Sequence, residues 1–260
     1  MIFSSLYSGS SGNSIFLSSD NTKILIDAGM PGKSIENALK DIGEKAEEID
    51  AIFVTHEHTD HTKGVGVLSR KYDIPIYASE GTWKGMIKQV GKIKDNNIRV
   101  MNSPISIKDM DIASFAISHD ALQPTGYSII CEGKKACIAT DLGYLSEEVK
   151  DNIIDADLLL LESNHDVEML KFGPYPYVLK KRILSDVGHL SNEACGKAII
   201  EIMTEKQKKI VLGHLSKTNN YPELAYLTVA NILKEEKINI GKDVILTMAD
   251  RSKPSSYIKL

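Results

Sequence analysis

Residues 56–61 read His-Glu-His-Thr-Asp-His. Three imidazoles and a carboxylate in six residues demand a stiff chain that aims its donors at a cation, and that constrains the fold more than any other feature. The cluster follows residues 51–54, an apolar run of strand character. In extended chain, residues two apart point the same way, so His56 and His58 are placed to grip one ion. Asp60 and His61 follow where the chain turns into residues 62–71, which carry a helical pattern, and they face a second position nearby. Four donors this close in sequence crowd one tetrahedral ion but suit two ions about 3.5–4 Å apart.

Donors from elsewhere must complete such a centre. His119, Asp141 and His214 each close or follow an apolar run, where a rigid strand presents a ligand. Asp141, with two carboxylate oxygens, is the simplest bridge between two ions. The same pattern recurs along the chain: residues 23–26 precede Asp27, 136–139 precede Thr140-Asp141, 158–161 precede Glu162, and 210–212 precede Gly213-His214. Helical patterns separate several of these runs. Ile35, Ala38, Leu39 and Ile42 share a face, with Ser34 expected as N-cap and Gly43 as the stop. A Ser191-Asn192 cap precedes a second helix, and Pro222 is placed to open a third. Residues 128–131 and 136–139 predict a hairpin joined by Glu132-Gly133-Lys134-Lys135. Hairpins mixed with strand–helix units indicate an α/β protein with helix-covered sheets and active groups on loops at one edge. No repeat, low-complexity tract or linker divides the sequence, so a single domain over residues 1–260 is expected.

The His-x-His-x-Asp-His loop, preceded by Asp27 in Leu25-Ile26-Asp27-Ala28-Gly29 and followed by His119, Asp141 and His214, resembles the metallo-β-lactamase superfamily over nearly the whole chain. The resemblance implies a four-layer αββα sandwich with a dinuclear metal centre at the sheet edge. It implies that His56, His58 and His119 hold one metal, that Asp60, His61 and His214 hold the other, and that Asp141 holds both. Asp27 would orient the ligand loop from behind; read alone, it is equally a turn aspartate at a strand end. The expected cofactors are two divalent ions, zinc first, with manganese and iron also suited to these donors. Two such ions lower the pKa of a bridging water to roughly 7, so the expected reaction class is hydrolysis. Aspartate at position 141, where the antibiotic-hydrolysing members often carry cysteine, favours the phosphodiester and thioester branches.

Downstream, residues 161–166 and 188–194 are similar in order to ribonuclease Z. That likeness implies that Glu162 orients His189 and that His189 protonates the leaving oxygen or stabilises the charged phosphate. With Asp60 they form the expected catalytic set. Without the likeness, Glu162 reads as a structural carboxylate and His189 as a histidine beside a helix N-terminus. His165 is a candidate to line the cleft. The chain most resembles the YycJ-type branch, judged from Ser8-Gly9-Ser10-Ser11-Gly12-Asn13-Ser14 and the full segments 162–170 and 188–193. That branch implies a 5′ to 3′ DNA exonuclease acting through a metal-bridged hydroxide; thioester or lactone hydrolysis on the same site is the alternative. The stretch from Asp141 to His214 leaves no room for the large inserted domain of ribonuclease J. In the loop 8–14, the amides and side chains of Ser10, Ser11 and Asn13 suit phosphate oxygens, although a plain hairpin turn explains the loop equally. From Lys171 to Tyr177 and on to Lys180-Lys181-Arg182, aromatics interleave with cations. Lys181 and Arg182 are the candidates there for a nucleic acid, with a solvated helix face as the other reading.

Composition narrows the partners. A 42% hydrophobic and 25% charged chain is an ordinary globular protein. No apolar run approaches the roughly 18 residues of a membrane helix, so no membrane partner is expected. Three cysteines imply no disulfide framework. The first residues lack a basic start and an apolar stretch, so a cytoplasmic location is expected. A net charge of −4 argues against a globally basic nucleic-acid binder. Part of that charge, however, belongs to Asp27, Asp60 and Asp141, where divalent ions would offset it. A DNA substrate therefore stays in place, and the oligomeric state stays open.

Overall fold

The computed structural model describes residues 1–260. The first half of the chain runs as Ile2–Tyr7 (β1), Ser14–Ser18 (β2), Lys23–Ile26 (β3), Gly32–Asp41 (α1), Ala51–Phe53 (β4), Thr59–Thr62 (α2), Val65–Tyr72 (α3), Ile76–Ala78 (β5), Glu80–Val90 (α4) and Ile98–Val100 (β6). Next come Ile105–Ile107 (β7), Met110–Ala116 (β8), Thr125–Cys131 (β9), Lys134–Ala139 (β10), Glu147–Ile153 (α5), Leu158–Glu162 (β11), Val167–Phe172 (α6) and Tyr177–Ile183 (α7). Asn192–Glu201 (α8), Lys208–Gly213 (β12), Pro222–Glu235 (α9), Val244–Met248 (β13) and Ile258–Lys259 (β14) complete it.

Two seven-stranded sheets result, ordered β14-β1-β2-β3-β4-β5-β6 and β13-β12-β11-β10-β9-β8-β7. Successive side chains point to opposite faces of a strand, and here both faces are buried. Ile15, Leu17, Ile24, Ile26 and Phe53 meet Ile112, Ile129, Ile138, Leu160 and Val211 in one core between the sheets. Their neighbours Phe16, Leu25 and Ile52 pack under α1, α3 and α4 with Ile35, Leu68 and Trp83. Cys137, Leu159, Leu161 and Leu212 pack on the other side with Val149, Ile199 and Val229 of α5, α8 and α9. Three cores thus separate four layers, helix–sheet–sheet–helix, as the resemblance implied. Burial on both faces is also why these strands read as unbroken apolar runs.

Each sheet changes from antiparallel to parallel pairing: β3 to β6 are parallel in one, β10 to β13 in the other. Parallel strands bring their C-terminal ends to one edge, and ligands gather there. No helix is long and apolar enough to cross a membrane.

Three local expectations are corrected. The β9–β10 hairpin turns on Glu132 and Gly133 alone, both left-handed at φ 52° and 70°. This frees Lys134 and Lys135 to pair with Cys131 and Ile130. Helix α1 begins before Ser34, because the Pro31 carbonyl already accepts from the amides of Ser34 and Ile35 at 2.7 and 3.2 Å. The helical pattern after the histidine cluster is two short helices: α2 takes in Asp60 and His61, and the chain restarts as α3 after Gly64. Ser191 does cap α8, its hydroxyl accepting from the Ala194 amide, and Pro222 opens α9.

Candidate metal centre

The edge where the parallel strands end collects the titratable residues. Asp27 follows β3, His56 and His58 follow β4, and His119 follows β8. Asp141 follows β10, Glu162 ends β11, and His214 follows β12. Asp27, Asp141 and His214 have left-handed backbones, at φ 62°, 60° and 54°. Such a conformation costs a non-glycine residue about 1–3 kcal/mol and persists only where surrounding structure enforces it. It turns the chain sharply off each strand at the point where the side chain is needed.

Two sets of donors converge. His56 Nε2 and His58 Nδ1 lie 3.0 Å apart, and His119 Nε2 is 3.3 Å from His58 Nδ1. In the second set His61 Nε2 and His214 Nε2 lie 3.6 and 3.9 Å from Asp60 Oδ2. Asp141 stands between the sets, with Oδ2 3.4 Å from His61 Nε2 and Oδ1 3.7 Å from His119 Nε2. The donor atoms of His56, His58 and His119 all lie within 4.8 Å of one another, as do those of Asp60, His61 and His214.

The far sides of four rings are fixed. Asp27 accepts from the Thr55 amide, the Thr55 hydroxyl and His61 Nδ1 at 2.8, 2.9 and 2.8 Å, which leaves His61 Nε2 facing inward. His119 Nδ1 donates to the Gly188 carbonyl at 3.2 Å. A single oxygen of buried Glu162, Oε1, takes both His189 Nδ1 at 2.8 Å and His214 Nδ1 at 2.7 Å. Its other oxygen accepts from the amides of Leu142 and Leu190 at 2.7 and 3.2 Å. Gly29 lets the turn after β3 lie against the ligand loop, since a Cβ there would meet the Asp60 carbonyl at 1.6 Å.

The charge balance suits cations. Burial opposes a proton on His61, but Asp27, Asp141 and Asp60 outweigh it and raise the ring to about 9. His214 is raised well above its ordinary value against burial, by Asp141, Asp60 and Glu162. Asp141 is lowered despite its burial, by His214, His61 and His119. His56 falls well below the usual range through burial and the neighbouring imidazoles. Asp141 Oδ2 and His214 Nε2 are buried without hydrogen-bond partners. An orphaned buried polar atom costs about 1–3 kcal/mol. Divalent ions held by this donor set would satisfy both atoms and the carboxylates together, so the residues present fit such ions.

The remaining candidates spread around the rim. Asn13 is buried, with Nδ2 3.1 Å from His61 Nε2, while Ser10 and Ser11 are exposed at the loop tip. His165 is 1% exposed, and neither ring nitrogen has a partner. Burial, with Glu162 and His189 pulling in opposite directions, lowers its pKa to about 4. Arg182 is exposed and paired through Nη2 with Asp120 at 2.9 Å, beside His119. Lys181 is exposed. Sequence reasoning missed Thr55, Ser8, whose hydroxyl accepts from the His214 amide at 2.9 Å, and a buried amide network. In that network Asn220 Nδ2 reaches Asn192 Oδ1 at 2.9 Å, and Asn164 Nδ2 donates to the His214 carbonyl at 2.8 Å.

Residues 7–214 match the Metallo-beta-lactamase superfamily. The chain belongs to that superfamily. It is 45% identical to exodeoxyribonuclease WalJ of Streptococcus pneumoniae (strain D39), covering 98% of this chain and 97% of WalJ. It is 41% identical to exodeoxyribonuclease YycJ of Bacillus anthracis over 97% of both chains. The superfamily fold is equally plain against the crystal structure of YhfI from Bacillus subtilis, with a TM-score of 0.71 over 98% of each chain at 14% identity.

The shared oxygen of Glu162 carries its own prediction. Glu162→Gln removes the charge that holds both His189 and His214. It should weaken metal affinity at the Asp60, His61 and His214 set by about 10–100-fold. Competitive chelator titration should show the His56, His58 and His119 set retained; equal loss at both sets would contradict it.

Proposed function

We propose that this chain is a metal-dependent DNA exonuclease that cuts in the 5′ to 3′ direction. The observation that carries this is the pair of donor sets joined at Asp141 with the Glu162–His189 pair alongside, 3.6 Å from Asp141 Oδ1 to His189 Nδ1. The full-length likeness to proteins named exodeoxyribonucleases supports the substrate.

His56, His58 and His119 would hold one ion, Asp60, His61 and His214 the other, and Asp141 both. Two divalent ions, zinc first, supply Lewis acidity toward a phosphoryl oxygen and a source of hydroxide at neutral pH. Asp27 keeps His61 in the tautomer that points Nε2 inward. Glu162 binds His189 through Nδ1, so Nε2 is the nitrogen that carries a proton to the departing oxygen. Asp60 serves both as donor and as part of the catalytic set. Arg182, Ser10, Ser11 and Lys181 meet phosphate and sugar oxygens from the rim. Asn13 and His165, 5% and 1% exposed, are closed off from substrate, which corrects their expected place in the cleft. We assign the protein to the cytoplasm, in keeping with three buried, unpaired thiols at Cys131, Cys137 and Cys195.

Turnover of a 5′-phosphorylated oligodeoxynucleotide, compared with RNA, a glutathione thioester and a lactone, tests this. Release of mononucleotides from DNA is expected. Thioester or lactone turnover that competitor DNA leaves unchanged would overturn it.

A further inference from the structure

Most large apolar side chains here are buried; the exposed ones are scattered over the surface, but the three most exposed fall in one short stretch. Of five phenylalanines, Phe3, Phe16, Phe53 and Phe115 are at most 3% exposed. Phe172 is 83% exposed, and Tyr177 and Val178 are each 79% exposed. All three lie on α6 and α7, helices of six and seven residues that are too short to be stable alone. Leu170 and Ile183 are the buried residues that anchor them. Neither fold nor core explains why aromatic rings are kept in water here.

The charges around those rings are predominantly positive. Lys171, Lys180, Lys181 and Arg182 lie beside Phe172 and Tyr177 in a chain whose net charge is −4. Lys171, Tyr177, Lys180, Lys181, Leu184 and Ser185 line a shared hollow of about 410 Å³. Lys180 Nζ donates to the Lys171 carbonyl at 2.8 Å and so ties α7 to the end of α6. Glu168 offers Lys171 an exposed ion pair at 3.0 Å, which is worth little in water.

The patch is continuous with the metal centre. Arg182 holds Asp120, the neighbour of His119. The Ile183 carbonyl accepts from the His189 amide at 3.1 Å, and Gly188 carries the His119 ring.

Given the nuclease function assigned above, we propose that α6 and α7 form a docking platform for the single-stranded part of a DNA substrate as it leaves the metal centre. Phe172 and Tyr177 stack on bases, and Lys171, Lys180 and Lys181 meet phosphates. Base–aromatic stacking needs unpaired bases, is tolerant of sequence, and works together with a basic groove that tracks the backbone. Duplex DNA hides those faces, which selects a single strand.

The test uses the full chain with its metals, a fluorescent 20-nucleotide single strand, and bis(p-nitrophenyl) phosphate as a diester too small to reach the platform. Phe172→Ala/Tyr177→Ala should raise the KM for the 20-mer about ten-fold or more with kcat unchanged. Turnover of the small diester should stay as in the parent. Phe172→Trp/Tyr177→Phe, which keeps two aromatic faces, should restore the KM. Lys180→Gln/Lys181→Gln should flatten the salt dependence of strand binding by about 0.7 in logarithmic slope per lysine. An unchanged 20-mer KM in the alanine variant overturns the platform alone. So does a change of oligomeric state in sedimentation with that KM unchanged, which would make the patch an interface between copies. A parent protein that turns over the small diester yet neither binds nor cuts a single strand overturns the platform and the nuclease function together.

Discussion

Asp141→Ala lowers the hydrolysis of a 5′-phosphorylated oligonucleotide by at least about 10³-fold and strips metal from the protein. Asp141 is the carboxylate that stands against both donor sets, 3.4 Å from His61 Nε2 and 3.7 Å from His119 Nε2. Removing it takes a donor from each set and leaves His61 and His214 without one of the carboxylates that raise them. Losing one preorganised charge-stabilising group typically costs 10²–10³-fold, and here one substitution affects two ions. Asp141→Asn separates lost charge from lost fold, since asparagine tolerates the left-handed backbone at φ 60°. It should keep the melting behaviour of the parent while losing most activity. Steady-state kinetics with metal analysis reads both variants, and full activity with full metal content in the alanine variant contradicts the assignment.

His189→Ala should lower kcat on DNA by about 10²–10⁴-fold with both donor sets still loaded. The ring lies at the mouth of the centre, 16% exposed, while the Glu162 oxygen that holds it also holds His214. Deleting the ring therefore leaves His214 anchored. A proton donor matters most when the leaving group is a poor one. The loss should shrink strongly with bis(p-nitrophenyl) phosphate, whose leaving group needs no proton. An equal loss on both diesters would make His189 a phosphate-stabilising group, and loss of metal would make it a ligand.

Much of this was legible in the sequence because metal chemistry leaves residues that are costly to keep anywhere else. Histidines and aspartates at the ends of apolar runs mark a site, and the runs themselves mark strands buried on both faces. The structure gathers every expected donor at one edge, because the ends of β4, β8, β10 and β12 meet there. What stayed hidden is ordinary polar chemistry between distant residues. Thr55, Ser8, Asn192 and Asn220 resemble any loop residue, and only tertiary contacts such as Ser8 with His214, 206 positions apart, give them a task. Glu162 was expected behind His189, but its contact with His214 depends on β11 and β12 pairing in parallel, Glu162 opposite Gly213. Local boundaries shifted for backbone reasons: Pro31 starts α1 early, and the left-handed Glu132-Gly133 pair shortens the hairpin. The composition total also concealed the cations of α6 and α7, since a net charge says nothing of how charge is placed.

The most direct test strips the protein with a chelator, reloads it with zinc or manganese, counts the bound metal, and follows 5′- and 3′-labelled single-stranded DNA. The prediction is no cleavage without metal, about two ions per reloaded chain, and release of the 5′ label as a mononucleotide before the strand shortens from its other end. Undiminished cleavage by the stripped protein, or a fully loaded protein that leaves DNA intact while hydrolysing a thioester, would contradict it.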